Sequence, residues 1–185
     1  MKRLSPVLVL LALLGVPSIA AAQSGVTILL VRHAEKVSNA PDAGLSDLGK
    51  ERAERLARML ADAGISAIYT SEVQRTQQTV APLAKRLKIE PTVIAAKDMD
   101  GLVKRLQAVP DGAVVLVVGH SNTLPIIIEK LLGKQQEGFH GGTMREMTMG
   151  DADYDRLFII SSWRELSVSP VPPNTGIAKL LILHY

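Results

Sequence analysis

The run Val26-Thr27-Ile28-Leu29-Leu30-Val31 leads straight into Arg32-His33-Ala34-Glu35-Lys36, with no turn residue between its apolar and its charged part. A continuous β-favouring run without polar alternation describes a strand buried on both faces, as in parallel sheets covered by helices. A second run of this character, the most strongly apolar in the chain, stands at 113–118 (AVVLVV). The intervening sequence then has to supply the helices that cover such a sheet.

Ser46 reads as the cap of a helix over 47–62, with Gly49, Ala53, Leu56 and Leu60 on one stripe and Gly64 as its stop. Residues 66–70 (SAIYT) read as the next strand. Ser71 and Gln74 have capping-box spacing and open a helix reaching about Leu87. A short strand at 92–95, a short helix at 102–108 and, beyond the run at 113–118, a helix at 122–132 capped by Asn122 complete the alternation. From 134 to 155 the pattern dissolves into polar, Gly- and Met-rich sequence. Two β-like runs come next, at 157–161 and 178–183, separated by Pro170, Pro172 and Pro173, and are expected to pair as an antiparallel hairpin on the sheet. The expected architecture is one α/β domain over 23–185, a three-layer sandwich whose mainly parallel sheet is flanked by helices.

The first segment reads as an address. Lys2 and Arg3 precede an apolar stretch at 7–16, then Pro17 and the small residues Ala20-Ala21-Ala22. That is the layout of a secretory signal peptide over 1–22, cut after Ala22. Ten apolar residues fall well short of the roughly 20 that cross a hydrocarbon core, so no stable membrane insertion is expected after cleavage. The expectation is an exported protein, periplasmic or secreted. Lys and Arg total 21 against 18 Asp and Glu; without Lys2 and Arg3 the surplus of three falls to one. No basic patch then argues for nucleic acid, and the low aromatic content argues against single-strand stacking surfaces. With no cysteine, a disulfide framework, a thiolate metal site and a cysteine nucleophile are all excluded.

Ligands of open parallel sheets bind beyond the carboxyl ends of the strands. At those ends stand, in strand order, Arg32-His33, then Arg75, then Asp98 and Asp100, then His120-Ser121-Asn122. Two histidines, two arginines and two carboxylates thus fall on one sheet edge. The guanidinium fork matches phosphate oxygens and stays charged at any working pH. A neutral imidazole can attack phosphorus and hold the phosphoryl group covalently, while flanking cations neutralise the equatorial oxygens. A departing alkoxide needs a proton, hence a carboxylic acid within reach. The ingredients fit phosphoryl transfer with no metal and no cofactor. Bland readings exist for some of these residues: Asp98 and Asp100 suit helix capping equally well, and Glu35 suits an ion pair with Arg32. Met144, Met147 and Met149 with His140 have the softness of a copper site, but methionines in an irregular loop more often pack as adaptable apolar cover. The stretch 134–155 reads as a cap over the pocket.

The sequence resembles the histidine phosphatase superfamily, also called phosphoglycerate mutase-like. The likeness is carried by Val31-Arg32-His33-Ala34-Glu35-Lys36, Leu45-Ser46-Asp47-Leu48-Gly49, Tyr69-Thr70-Ser71-Glu72-Val73-Gln74-Arg75-Thr76 and Val118-Gly119-His120-Ser121-Asn122-Thr123, in that order. The resemblance implies a phosphoglycerate mutase-like fold, His33 as the phosphorylated nucleophile, and Arg32, Arg75 and His120 completing the phosphate pocket, with Glu35 and Ser121 beside it. Two departures stand out. Ala34 replaces the commoner glycine, and Ser121 occupies the position directly after the second histidine where some members carry an acidic donor. Asp98, with Asp100 as the alternative, is the expected proton donor. The expected function is hydrolysis of phosphate monoesters, the partner being a small phosphorylated molecule. A mutase and a non-catalytic phosphate-binding module are the rival readings.

Overall fold

The computed structural model describes residues 25–132, 147–163 and 177–185. The expected signal peptide at 1–22, and His140 and Met144 of the methionine-rich stretch, lie outside the described residues. Ten elements succeed one another: β1 (Val26–Arg32), α1 (Asp47–Met59), β2 (Ile65–Thr70), α2 (Gln74–Leu87), β3 (Thr92–Val93), α3 (Met99–Gln107), β4 (Val114–Gly119), α4 (Leu124–Leu132), β5 (Arg156–Trp163) and β6 (Ile177–His184). They form the α/β sandwich that the sequence predicts. The sheet order is β3-β2-β4-β1-β5-β6. The first four of these strands run parallel, and β5 and β6 add an antiparallel hairpin beside β1.

The two apolar runs are the two central strands, and period-two alternation divides the core between its layers. Ile28 and Leu30 of β1, with Val115 and Val117 of β4, meet Leu102 and Leu106 of α3 and Ile127 and Ile128 of α4. Leu29 and Val31, with Leu116 and Val118, meet Leu56 of α1 and Val80 and Leu83 of α2 on the other face. Met147 and Met149 are buried in the α3–α4 layer, in keeping with their reading as apolar cover. Among the described residues no helix is long and apolar enough to cross a membrane.

Several boundaries differ from the sequence reading, each for a local reason. α1 ends at Met59 rather than 62, because the chain tightens through short-range bonds, Ala63 N–H to the Leu60 carbonyl among them, before Gly64 turns at φ +69°. β3 keeps only two residues, at the sheet's edge. α3 begins three residues early, because Asp98 is its cap and accepts from the Gly101 N–H at 3.0 Å. Ser71 does not cap α2. Asp42 does so from the preceding loop, accepting the Gln74 N–H at 2.8 Å, and leaves the serine hydroxyl for another use. In the turn before α4 the bonded side chain is Thr123, whose Oγ1 accepts from the His120 N–H, rather than Asn122.

Candidate active site

Strand register brings the histidines together. β1 and β4 pair in parallel with Arg32 opposite Gly119, and the His33 N–H donates to the Gly119 carbonyl at 2.9 Å. His33 and His120 therefore leave adjacent strand ends side by side, with ring centroids 5.3 Å apart. α2 is tied to the same place by Thr79, whose hydroxyl accepts the Ala34 N–H at 3.0 Å and donates to the Arg75 carbonyl at 2.7 Å. That link sets Arg75, one turn earlier on the helix, against His120. The Ala34 side chain is fully buried with Leu45 and Ala53, so the methyl group that replaces glycine has a packed place.

Hydrogen bonding fixes both tautomers. His33 Nδ1 lies 2.7 Å from the Ala34 carbonyl, which only accepts, so Nδ1 carries the proton and Nε2 keeps its lone pair. Arg75 Nη2 lies 3.4 Å from His120 Nδ1; a guanidinium only donates, so that nitrogen is the bare one. His120 Nε2–H then donates to Ser71 Oγ at 3.1 Å. The Ser71 hydroxyl donates to Thr76 Oγ1 at 2.8 Å, and Thr76 donates to the Val73 carbonyl at 2.7 Å. The sequence reading places neither Ser71 nor Thr76 at the site: the spacing of Ser71 is that of a helix cap, and spacing does not distinguish a cap from a relay.

Burial dominates the electrostatics. It pushes the His33 pKa down to about 3, with repulsion from His120, Arg75 and Arg32 added and the Ala34 carbonyl opposing. His120 is pushed down to about 4, again by burial first and then by Arg75, against the pull of Glu72. Both rings are neutral at ordinary pH, as a nucleophilic imidazole must be. The unfolded chain, with histidines near 6.5, takes up protons more readily than the fold does. Stability from these rings is thus complete above about pH 6.5 and is lost as the pH falls through about 4 toward 3. The melting temperature is expected to drop across that window, and His33→Gln to flatten the slope. Calorimetry from about pH 7 to about pH 4 measures both, and an unchanged slope would mean that His33 is not held neutral by the fold.

Among the described residues, neither Arg32 Nε nor Arg75 Nε, both buried, finds a hydrogen-bond partner. Buried donors left without an acceptor are costly. The remaining expected residues sit elsewhere or do other work. Glu35 is held in a fork by Arg52, with Oε1 2.6 Å from Nη2, so its ion-pair partner is Arg52 rather than Arg32. Burial pushes the Glu35 carboxyl up, but the Arg52 bonds outweigh it and the net direction is down. Ser121 is half-buried in the turn beside His120. Asp98 caps α3 and, with Ser71 and His120, lines a small cavity of about 20 Å³. Asp100 pairs with Lys130 at 2.9 Å on the surface. Tyr154, which no sequence signal singles out, stands with its ring centroid 6.0 Å from that of His33. Among the described residues no group of three His, Asp or Glu side chains gathers to hold a metal ion.

Residues 28–99 match the sequence profile of the histidine phosphatase superfamily, branch 1, a span that includes Arg32, His33 and Arg75. A stretch of 78 residues is 38% identical to the PE-PGRS family protein PE_PGRS11 of Mycobacterium tuberculosis, covering 37% of this chain and 13% of that protein. Among solved structures, SixA of Nakamurella multipartitia, a proposed phosphohistidine phosphatase, superposes with a TM-score of 0.61 at 23% identity over 87% of this chain and 96% of its own. A mycobacterial glucosyl-3-phosphoglycerate phosphatase superposes with a TM-score of 0.62 at 15% identity, over 83% and 96%. At these identities the likeness to the solved structures is one of fold.

Proposed function

We propose that the chain, whose residues 28–99 match the histidine phosphatase superfamily, is an exported phosphatase that hydrolyses phosphate monoesters through a phosphohistidine on His33, without a metal ion. The observation that carries this reading is the fixed tautomer of His33, whose bare Nε2 stands among His120, Arg32 and Arg75. Nε2 attacks phosphorus while the ester P–O bond breaks. Arg32 and Arg75 bring cationic guanidinium groups to the oxygens over which charge spreads. The leaving oxygen takes a proton from an acid. Water then attacks the phosphohistidine, the P–N bond breaks, and Nε2 regains its lone pair as inorganic phosphate leaves. Export rests on the sequence of residues 1–22.

For the acid we keep Asp98, which shares the small cavity with His120, ahead of Asp100, whose carboxylate is engaged by Lys130. Asp98→Asn separates its two roles, because asparagine caps a helix as well as aspartate does but donates no proton. Turnover of esters with poor leaving groups is expected to fall about 100-fold, while that of nitrophenyl phosphate, whose leaving group needs no proton, stays within about twofold. Equal losses on both ester types would remove Asp98 from the reaction.

The test of the reading as a whole is release of nitrophenol from its phosphate ester in the presence of EDTA. Turnover that survives chelation supports a metal-free phosphatase, and loss on chelation overturns that part. A chain that binds vanadate without turning over would instead be a phosphate-binding module. The substrate class is a phosphorylated small molecule, in line with the glucosyl-3-phosphoglycerate named for one structural neighbour.

A further inference from the structure

We infer that the turn at 150–154 is a clamp that aims Arg32, with Tyr154 as a positioning residue of the site. The inference rests on the phosphoryl-binding role proposed for Arg32 and adds residues that neither the family profile nor the sequence reading assigns. Its origin is topological. β5 runs antiparallel beside β1 with Leu157 opposite Val31, so the residues just before β5 lie at the end of β1 that carries Arg32. There Arg32 Nη1 donates to three carbonyls of one turn: Gly150 at 2.7 Å, and Asp151 and Asp153 at 3.3 Å each. The guanidinium carbon lies 4.2 Å from the centroid of the Tyr154 ring, within cation–π reach.

The turn is braced independently of Arg32. Asp153 Oδ2 accepts the Gly150 N–H at 2.9 Å and Arg156 Nη2 at 2.8 Å, and the Tyr154 N–H donates to the Ala152 carbonyl at 3.1 Å. Met149, at its base, is buried in the α3–α4 layer. The consequence for Arg32 is geometric. One nitrogen is committed to carbonyls and one face lies against a ring, while Nε remains buried and unpartnered. A long side chain with many rotamers is thereby held in one orientation before any phosphate arrives, and the ordering cost of binding is reduced.

The full ¹⁵N-labelled chain tests this through the Arg32 Nε–H resonance, assigned by its loss in Arg32→Lys, together with titration by inorganic phosphate. In the unsubstituted chain the ring current of Tyr154 displaces that resonance upfield. Tyr154→Leu is expected to abolish the displacement, speed the exchange of that proton and weaken phosphate binding about tenfold, with the melting temperature nearly unchanged. Tyr154→Phe restores all three readouts, because the ring and not the hydroxyl is the operative part. The inference is overturned if Tyr154→Leu leaves the resonance and the affinity unchanged, or if Tyr154→Phe is as impaired as the leucine variant. Should Tyr154→Leu fail to fold, Asp153→Ala loosens the turn while keeping the ring, and an unmoved Arg32 resonance there also overturns it. Failure of phosphate to move the resonance in the unsubstituted chain would refute the phosphatase reading, whereas the clamp is judged by the variants alone.

Discussion

His33→Ala is expected to lower kcat for nitrophenyl phosphate by about 10⁴-fold or more, and to abolish incorporation of labelled phosphate into acid-labile, base-stable protein linkages. The size reflects the site's division of labour. In the proposed reaction Arg32 and Arg75 stabilise charge around phosphorus, but among the groups gathered there only His33 Nε2 presents a lone pair fixed by a carbonyl on the opposite ring nitrogen. Removing it leaves the cationic cradle, so vanadate affinity should fall far less than kcat. Burial of the imidazole leaves the fold indifferent or more tolerant of acid when it is replaced, and the variant should melt no lower than the parent at about pH 5. Retained turnover in His33→Ala would assign the nucleophile elsewhere, while equal losses in affinity and kcat would mean that the pocket had collapsed.

Gly49→Ala is the second large expected effect, and its sign opposes helix propensity. Gly49 lies in the first turn of α1, where an alanine normally stabilises by roughly 0.5–1 kcal/mol. Here an added Cβ would overlap the carbonyl oxygen of Glu35, with the Glu35 backbone nitrogen and carbon each only 3.1 Å away. The three nearest atoms are all backbone, so no flexible side-chain end can yield to relieve the overlap. α1 would have to retreat from the segment that holds His33, straining the Ser46 N–H bond to the Glu35 carbonyl at 2.9 Å and the buried packing of Ala34 on Leu45 and Ala53. The expected loss is about 3 kcal/mol, or about 10 °C in melting temperature. Displacement of His33 should also cost about 100-fold in kcat. Thermal melts and nitrophenyl phosphate kinetics check both, and a neutral or stabilising result would mean that the helix and the loop move apart freely.

Whatever a local pattern encodes is legible in the sequence. Two uninterrupted apolar runs are β1 and β4, and the charged residues just after them are the residues that β1–β4 pairing gathers at one edge. The stripe of Gly49, Ala53, Leu56 and Leu60 is buried as its spacing implies. Features that depend on a distant partner are less legible. Ser71 has the spacing of a cap, yet Asp42 from another loop caps α2 and Ser71 orients His120 instead. Glu35 stands close after Arg32 in sequence but is engaged by Arg52 of α1. Asp98 suits an acid and a cap equally well by position, and its bond to the Gly101 N–H accounts for the early start of α3. Tyr154 falls in sequence without periodicity, and only the antiparallel return of β5 brings it to Arg32.

The pairing of Arg32 with Gly119 has a bearing on how the molecule is made as well as on what it does. The two histidines are 87 positions apart in the chain, and nothing local joins them. The site therefore comes into being only when a long loop has closed and the central strands have zipped together, a late and entropically expensive event during folding. An oxyanion held between Arg32 and Arg75 beside the two rings would bind only chains that have passed that point, and so would draw the whole equilibrium toward the native state by mass action. Phosphate in the surrounding medium would then act as a folding ligand for newly made chains, rewarding completion of the sheet's centre before any substrate is met.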